Sequence, residues 1–164
     1  LRDGGVDLET GVLESVIGPE IRATRLFDDR YVGVVRLGHP LADGEVTAAT
    51  YGAGAHVHVS LQGSEKAPID DWFAPAGIKR NVVCEVSGFA AALALARVSD
   101  LIATVPERHT DALRQGMVTF ALPVSLPEFT VSLLWHPRSD GDPAHRWLRG
   151  CVREVCALRP TAAI

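Results

Sequence analysis

The chain has 164 residues, of which 47% are hydrophobic and 22% are charged, an ordinary composition for a globular protein. A formal net charge of −4 argues against a general attraction to nucleic acid or anionic membranes, so specific DNA contact would require residues outside this sequence. No apolar run approaches the ~18 residues of a membrane span, no secretion signal is visible, and the cysteines form no C-x-x-C pair. These features favour a reduced, cytoplasmic setting, and the alternative is a chain that begins within its fold and has lost an upstream signal.

Two apolar strands, each leading into a His-Pro pair, are the landmarks of the predicted domain organisation. Residues 31–35 precede His39 and residues 129–135 precede His136, and the ~90 residues between them are enough for a small domain. The chain is therefore predicted to cross twice between two lobes, which leaves a cleft, a preferred place for small ligands. The predicted boundaries are residues 1–36 for part of lobe one, 37–128 for lobe two, and 129–164 for the return crossover and the rest of lobe one.

Strands and helices alternate through the predicted lobe two. After a short helix capped by Thr47, the H-V-H-V alternation of residues 56–59 has the period of a strand. The later elements are predicted as a strand at 81–86, a helix at 89–98, a strand at 101–105, a helix at 107–114 and a strand at 118–122. This βαβαβ order implies a parallel sheet with right-handed crossovers.

A long helix is predicted near the end of the chain, over residues 144–158. Asp142 is placed to cap it and Pro143 to occupy its first position. An apolar stripe at helical spacing is predicted to pack against the rest of the protein. The stripe consists of Trp147, Cys151, Val152 and Val155.

The start of the helix at residues 89–98 is the most attractive candidate ligand site. The first helical N–H groups lack intrahelical partners and the helix dipole places positive charge there, so they favour an anion. In parallel α/β folds such helices begin at the carboxyl ends of strands, facing the crevice. Ser87, Gly88 and Phe89 are therefore predicted to bind a ligand. The alternative is that Ser87 merely caps its own helix.

Histidines supply the other candidate binding groups. His56 and His58 share one predicted strand face, and one of them is predicted to form a hydrogen-bonding wall of the cleft. Ser60, just after this strand, is predicted to bind the effector as well. The two histidines could instead bind a metal, but a third ligand at a telling spacing is missing, and neither a metal nor a cofactor is predicted. His39 and His136 could reach the cleft mouth, or they could be hinge residues that face water.

No catalytic constellation is recognisable in the sequence. A hydrolase needs a nucleophile, a base and an orienting group, yet no G-x-S-x-G elbow occurs, and Ser99 lacks a glycine frame. The chain is therefore predicted not to be an enzyme.

Four segments, in order and at family-like separations, carry a family resemblance. They are GGVDLETGV at 4–12, LFDDRYVGVVRLGHPLA at 26–42, FAAALALARVSDLIATVPER at 89–108, and LLWHPRSDGDPAHRWLR at 133–149. Over nearly its whole length the chain resembles the C-terminal effector-binding domain of LysR-type transcriptional regulators. Its WHPR…DPAHRWLR ending looks most like the branch whose members often sense aromatic or phenolic compounds.

The resemblance implies an α/β fold with two periplasmic-binding-protein-like lobes joined by two crossover strands, with the N-terminal part of lobe one missing from this sequence. It implies a homodimer or homotetramer that contacts DNA only through a winged helix-turn-helix absent here. In the family, the missing lobe-one helix forms one wall of the effector pocket. The expected function is effector sensing, in which a small, aromatic carboxylate binds in the inter-lobe cleft and modulates DNA binding. The alternative is a solute-binding protein of a transport system, against which the missing signal argues.

Overall fold

The computed structural model describes residues 1–12, 20–60 and 68–157. Its strands and helices, in chain order, are β1 (Leu8–Val12), β2 (Arg22–Asp29), β3 (Tyr31–Arg36), α1 (Ala48–Ala53), β4 (Ala55–Val59), α2 (Pro68–Phe73), β5 (Asn81–Val86), α3 (Phe89–Arg97), β6 (Leu101–Pro106), β7 (Met117–Phe120), β8 (Phe129–Trp135) and α4 (Pro143–Ala157). Short 3-10 turns occur at Ala74–Ala76, Asp111–Arg114 and Pro137–Ser139. The chain divides into two compact units, of which unit 1 comprises the described residues of Leu1–Asp29 and Glu128–Ile164, and unit 2 those of Arg30–Pro127.

Unit 1 is built on a three-stranded antiparallel sheet in the order β1-β8-β2. The central strand β8 (FTVSLLW) is largely buried, and Leu133 is fully so. α4 begins as predicted, because the Asp142 side chain accepts a hydrogen bond from the Ala144 N–H at 2.9 Å. In its first turn, the buried His145 donates from Nε2 to the Asp7 carbonyl oxygen at 3.0 Å, which ties the helix to the segment before β1.

The apolar stripe of α4 does not pack as the sequence predicts. Trp147 is 71% exposed and Val155 is 61% exposed within the described part of the chain, whereas Cys151 and Val152 are half-buried. Helical periodicity shows which side chains share a face, but it does not show what covers that face. The predicted packing is therefore wrong for Trp147 and Val155 in the chain as described.

Unit 2 is built on a five-stranded sheet in the order β5-β4-β6-β3-β7. β4 pairs in parallel with both β5 and β6, as the alternation of strands and helices predicts. β3 pairs antiparallel with β6 and β7, so it runs against the other four strands. The three strands of the predicted βαβαβ order, β5, β6 and β7, therefore run in the same direction, as predicted, and the antiparallel entry of β3 between β6 and β7 was not predicted. The helix predicted at 107–114 is a 3-10 turn over Asp111–Arg114.

β3 also moves the boundary between the two units. Residues 31–36 are predicted to belong to lobe one, but their pairing with β6 and β7 makes them an inner strand of unit 2, with Val34 fully buried. A run of β-branched residues is equally typical of a crossing strand and of a central strand. The first crossing therefore lies between Asp29 and Arg30 rather than after Arg36.

Two apolar clusters hold unit 2 together, one on each face of its sheet. On one face, α3 packs through Leu93 and its small neighbours against strand valines. On the other face, Tyr51, Phe73 and Ile102 are fully buried together. Consecutive strand residues such as Ile102 and Ala103 belong to different clusters, because side chains alternate across a strand.

Candidate functional site

The carboxyl ends of three neighbouring strands meet at one edge of the unit 2 sheet. β4 lies between β5 and β6 and runs parallel to both, so the chain leaves all three at the same edge. In open α/β sheets, ligands bind outside this edge. The chain leaves β4 through Ser60, whose N–H donates to the Val86 carbonyl oxygen at 2.9 Å, and it leaves β5 through Ser87 and Gly88. The structure thus brings Ser60, Ser87 and Gly88 to one edge.

α3 begins at this edge with a glycine as its N-cap. Gly88 is extended, with φ −170° and ψ 156°, and no side chain caps the helix. The alternative prediction, that Ser87 caps its own helix, is therefore wrong, since Ser87 is exposed and precedes the cap position. A Cβ built on Gly88 would meet no atom within 4 Å, so the cap position is open. Because unpaired N–H groups and the helix dipole coincide here, this end of α3 can accept an anion.

A pair of rings lies at the start of α3. Phe89, the first helical residue, meets the His109 ring at a centroid distance of 6.0 Å and an interplanar angle of 69°. Phe89 is half-buried against the α3 core cluster, whereas His109 is exposed. His109 was not predicted as a site residue, although it lies just beyond the end of β6, a strand that the predicted order of elements already puts at this edge. The two rings offer an apolar surface beside the helix start.

Of the two β4 histidines, His56 is a core residue. It is fully buried, its ring meets the Tyr51 ring at 4.7 Å, and its Nε2 lies 2.8 Å from the Tyr51 carbonyl oxygen. Because a carbonyl oxygen can only accept, Nε2 carries the proton, and Nδ1 has no hydrogen-bond partner among the described residues. Burial lowers the pKa of His56 to about 4. The predicted ligand role is wrong for His56, because a fully buried ring does not meet a ligand at the edge.

An ion pair of Asp70 and Arg80, which no sequence spacing predicts, lies within electrostatic range of His58. Arg80, whose side chain is 2% exposed, donates two hydrogen bonds to Asp70, from Nε at 2.6 Å and from Nη2 at 2.9 Å. Partial burial acts to raise the pKa of Asp70, but the hydrogen bonds and charge of Arg80, with smaller effects of His58 and His56, lower it overall. His58 itself is half-buried, so it is the β4 histidine that can still meet a ligand.

The histidines of the two His-Pro pairs stabilise local turns. His39 is 7% exposed, its Nδ1 accepts the Leu41 N–H at 3.0 Å, and its Nε2 donates to the Asp100 carbonyl oxygen at 3.2 Å. Both ring nitrogens of His39 are thus hydrogen-bonded within the protein, and the side chain is buried. His39 is therefore neither a binding residue at the cleft mouth nor a hinge residue that faces water, so both predicted alternatives are wrong. His136, in unit 1, accepts the Arg138 N–H through Nδ1 at 3.2 Å and caps a 3-10 turn. A ligand-binding role of His136 stays a prediction.

The chemistry available at the unit 2 edge is that of binding. It comprises the first N–H groups of α3, the rings of Phe89 and His109, and the half-buried imidazole of His58. Within residues 1–12, 20–60 and 68–157, no three His, Cys, Asp or Glu side chains come together as a metal site. No helix in that part of the chain is long and apolar enough to cross a membrane.

Comparison with known sequences gives a family and a set of relatives. The family model described as LysR substrate binding domain matches residues 1–157. Over 151 residues the chain is 32% identical to the HTH-type transcriptional activator NahR of Pseudomonas putida, which covers 91% of this chain and 50% of that protein. The chain thus spans about half the length of the curated relatives it matches.

Solved structures share the same architecture. The regulatory domain of MexT, a transcriptional activator in Pseudomonas aeruginosa, has a TM-score of 0.75 at 27% identity, covering 94% of this chain and 74% of that chain. The effector binding domain of QuiR, solved in complex with shikimate, has a TM-score of 0.73 at 20% identity, covering 97% of this chain and 76% of that chain, which shows the fold alone. The mixed α/β, two-lobed fold expected from the sequence is confirmed. The chain therefore belongs to the LysR substrate-binding domain family and is the effector-binding domain of a LysR-type transcriptional regulator.

Proposed function

We propose that this effector-binding domain senses a small, ring-bearing carboxylate whose carboxylate group rests on the first N–H groups of α3. The observation that carries the proposal is the uncapped start of the helix at Gly88. N–H groups without an intrahelical partner form stronger hydrogen bonds with a charged acceptor than with a neutral one. The open cap position leaves room for such an acceptor.

The neighbouring side chains suit the rest of such a ligand. Its ring packs against Phe89 and His109, which already form an edge-to-face pair. His58, which is half-buried on β4, hydrogen-bonds a second polar group such as a hydroxyl. Shikimate, the ligand in the QuiR complex, is a ring carboxylate that bears hydroxyls, and it supports the chemical class only, because QuiR shares the fold alone.

The wider parts of the proposal rest on family membership. We infer that a winged helix-turn-helix elsewhere in the protein contacts DNA. We infer further that the protein acts in the cytoplasm as a homodimer or homotetramer. The ligand then affects transcription by binding one arrangement of the protein better than another. Solute binding for a transport system is the weaker alternative, because the curated relatives are transcriptional regulators.

Substitution of Gly88 tests where the carboxylate binds. In Gly88→Asp, the new side chain accepts hydrogen bonds from the first N–H groups of α3 and repels a second negative charge. Because a hydrogen bond to a charged group is worth about 1.5–3 kcal/mol, affinity should fall by at least one to two powers of ten. The measurement is a thermal-shift screen of ring carboxylates, followed by calorimetry of the hits on both proteins.

Gly88→Ala is the matched control. Its Cβ enters the same open space without adding an acceptor, and the extended backbone at φ −170° suits any residue. The alanine form should therefore bind a hit with nearly wild-type affinity. The aspartate form should fold at least as well as wild type, since aspartate is a better N-cap than glycine by a few tenths of a kcal/mol. If a hit binds Gly88→Asp as tightly as wild type, its carboxylate is held elsewhere.

A further inference from the structure

A second pair of aromatic rings lies in unit 2, formed by Tyr31 and Trp72. Tyr31 is the first residue of β3 and Trp72 lies in α2, and their ring centroids are 6.3 Å apart at an interplanar angle of 54°. Tyr31 is half-buried against the apolar cluster that contains Tyr51, whereas Trp72 is 37% exposed. The pair therefore combines a ring anchored in the core with a ring that is accessible to a ligand.

The register of the sheet places this pair at the edge where the proposed ligand binds. β3 runs antiparallel to β6, so Tyr31 lies opposite Pro106, the last residue of β6. Tyr31 is therefore at the same edge as the carboxyl ends of β4, β5 and β6. Paired residues of antiparallel strands are about 5 Å apart at Cα, and three residues of chain reach at most about 10 Å, so the backbones of Tyr31 and His109 lie within about 15 Å of each other.

The two ring pairs flank the end of the sheet from opposite faces. Phe89 packs against the α3 cluster on one face, and Tyr31 packs against the cluster on the other face. The Glu107 N–H donates to the Arg30 carbonyl oxygen at 2.8 Å, and Arg30 Nε donates to the Glu107 carboxylate at 2.7 Å. Arg30 directly precedes Tyr31, and Glu107 lies two residues before His109. These two bonds thus hold at a fixed spacing the segments that carry one ring of each pair.

The surroundings of Trp72 suit a neutral aromatic group. A partly exposed indole ring offers apolar area to another ring. Its N–H has no hydrogen-bond partner among the described residues, so it can donate to a hydroxyl or carbonyl oxygen of a ligand. Asp71, the residue before Trp72, is exposed in α2, so a second carboxylate at this place would meet a like charge.

We propose that Tyr31 and Trp72 form a specificity subsite that receives a second ring of the effector. The inference rests on the function proposed above, because the carboxylate of the same ligand binds at the start of α3. A ligand with one ring covers Phe89 and His109 only, whereas a ligand with two linked rings extends over the end of β6 to Trp72. Trp72 thus favours elongated two-ring carboxylates over single-ring carboxylates.

Benzoate and para-phenylbenzoate are the matched probes, because they share the ring that carries the carboxylate and differ in the second ring. Both are titrated into ¹⁵N-labelled protein, in which the three tryptophans give three indole N–H signals and Trp72→Phe identifies that of Trp72. Both ligands should shift the Phe89 amide signal saturably at millimolar concentration, but only para-phenylbenzoate should shift the Trp72 indole signal. A second carboxylate on the far ring should weaken binding because of Asp71.

Three variants decide the assignment. Trp72→Ala should lower the affinity for para-phenylbenzoate about 10-fold and leave that for benzoate unchanged, because only the second ring contacts Trp72. Trp72→Phe keeps an aromatic ring and should retain most of the affinity. Trp147→Ala, which removes an exposed tryptophan of unit 1, should change neither affinity. If Trp72→Ala does not fold, the response of the wild-type Trp72 indole signal to the two ligands decides the question.

Gly88→Asp separates this inference from the proposed function. If Gly88→Asp weakens both ligands while Trp72→Ala weakens them equally or not at all, the carboxylate binds as proposed and the second subsite is wrong. A Phe89 amide that responds to para-phenylbenzoate while the Trp72 indole signal does not would overturn the subsite in the same way. If Gly88→Asp weakens neither ligand, or if neither ligand gives saturable shifts, the proposed function and the subsite fail together.

Discussion

Acid should destabilise unit 2 through His56 before it protonates the carboxylates that stabilise the fold. The His56 ring is fully buried, donates from Nε2 to the Tyr51 carbonyl oxygen, and has no partner for Nδ1 among the described residues. Protonation at Nδ1 places a charge in the aromatic core, and the nearby Arg80 also disfavours it. The unfolded chain keeps this imidazole in water, so it binds the proton more readily.

The size of the stability loss follows from the pKa of His56 in the unfolded and in the folded protein. The pKa of His56 falls from 6.5, its ordinary value, to about 4 in the folded protein, chiefly through burial. One pKa unit corresponds to about 1.4 kcal/mol, so the difference amounts to about 3 kcal/mol. Because the folded pKa is the lower one, the free energy of unfolding has its full value above pH 6.5 and declines as the pH falls towards about 4.

Urea unfolding at successive pH values, on wild type and on His56→Gln, measures the effect. Glutamine keeps an N–H that can donate to the Tyr51 carbonyl oxygen, but it does not titrate in this range. Wild type should lose about 3 kcal/mol across the window, whereas the variant should lose little. Asp70 and Asp140, whose pKa values are lowered in the folded protein, titrate in both proteins, so their contribution cancels when the two stability curves are compared.

Parallel curves for the two proteins would refute this reasoning, because the loss would then belong to other groups. A His56 ring that titrates near pH 6.5 in the folded protein, as seen by NMR of the imidazole, would refute it equally. Lower stability of His56→Gln at neutral pH leaves the test intact, because the prediction concerns the slope of stability with pH.

Two further substitutions test packing and charge in unit 2. Gly33→Ala should destabilise by about 1–3 kcal/mol in urea unfolding, because its Cβ would lie 2.2 Å from the Phe120 ring, and adding Phe120→Leu should recover part of the loss. Asp70→Ala should cost about 3 kcal/mol, the lower end of the range for breaking a buried ion pair, because Arg80 is buried but Asp70 is half-exposed. A smaller loss for Asp70→Asn, which keeps one acceptor, is the check that the unpaired Arg80 charge is the cause.

The fold was predictable wherever a local pattern determines the structure. Asp142 before Pro143 starts α4 where expected, and the alternation of apolar strands with an alanine-rich helix predicts β5, α3 and β6. β3 was misplaced because its burial is the same whether it crosses between lobes or enters a sheet. Only its pairing with Ala103–Pro106 and Met117–Phe120, far along the chain, distinguishes the two, and no local pattern carries that information.

The candidate site was predictable in position but not in detail. The order of elements places Ser87, Gly88 and Phe89 at the carboxyl edge of the sheet, where the structure has them. The alternation of His56 and His58 predicts their common face, but it does not show that one is sealed under Tyr51 while the other stays half-exposed. The ion pair joins Asp70 in the short helix α2 to Arg80, the residue just before β5. No spacing in the sequence predicts this contact.

The place of β8 between β1 and β2 gives unit 1 a distinctive order of assembly. Within the described residues β1 and β2 each pair with β8 and not with each other, so these pairings form only after β8 has been synthesised. Unit 2 is contiguous in sequence and can fold on the ribosome during that interval, whereas unit 1 must wait for pairing between distant segments, which is slow. Until then the edges of β1 and β2 that later pair with β8 are exposed to wrong partners, including other nascent chains. Correct pairing of β1 and β2 therefore depends on β8, which is synthesised after both of them.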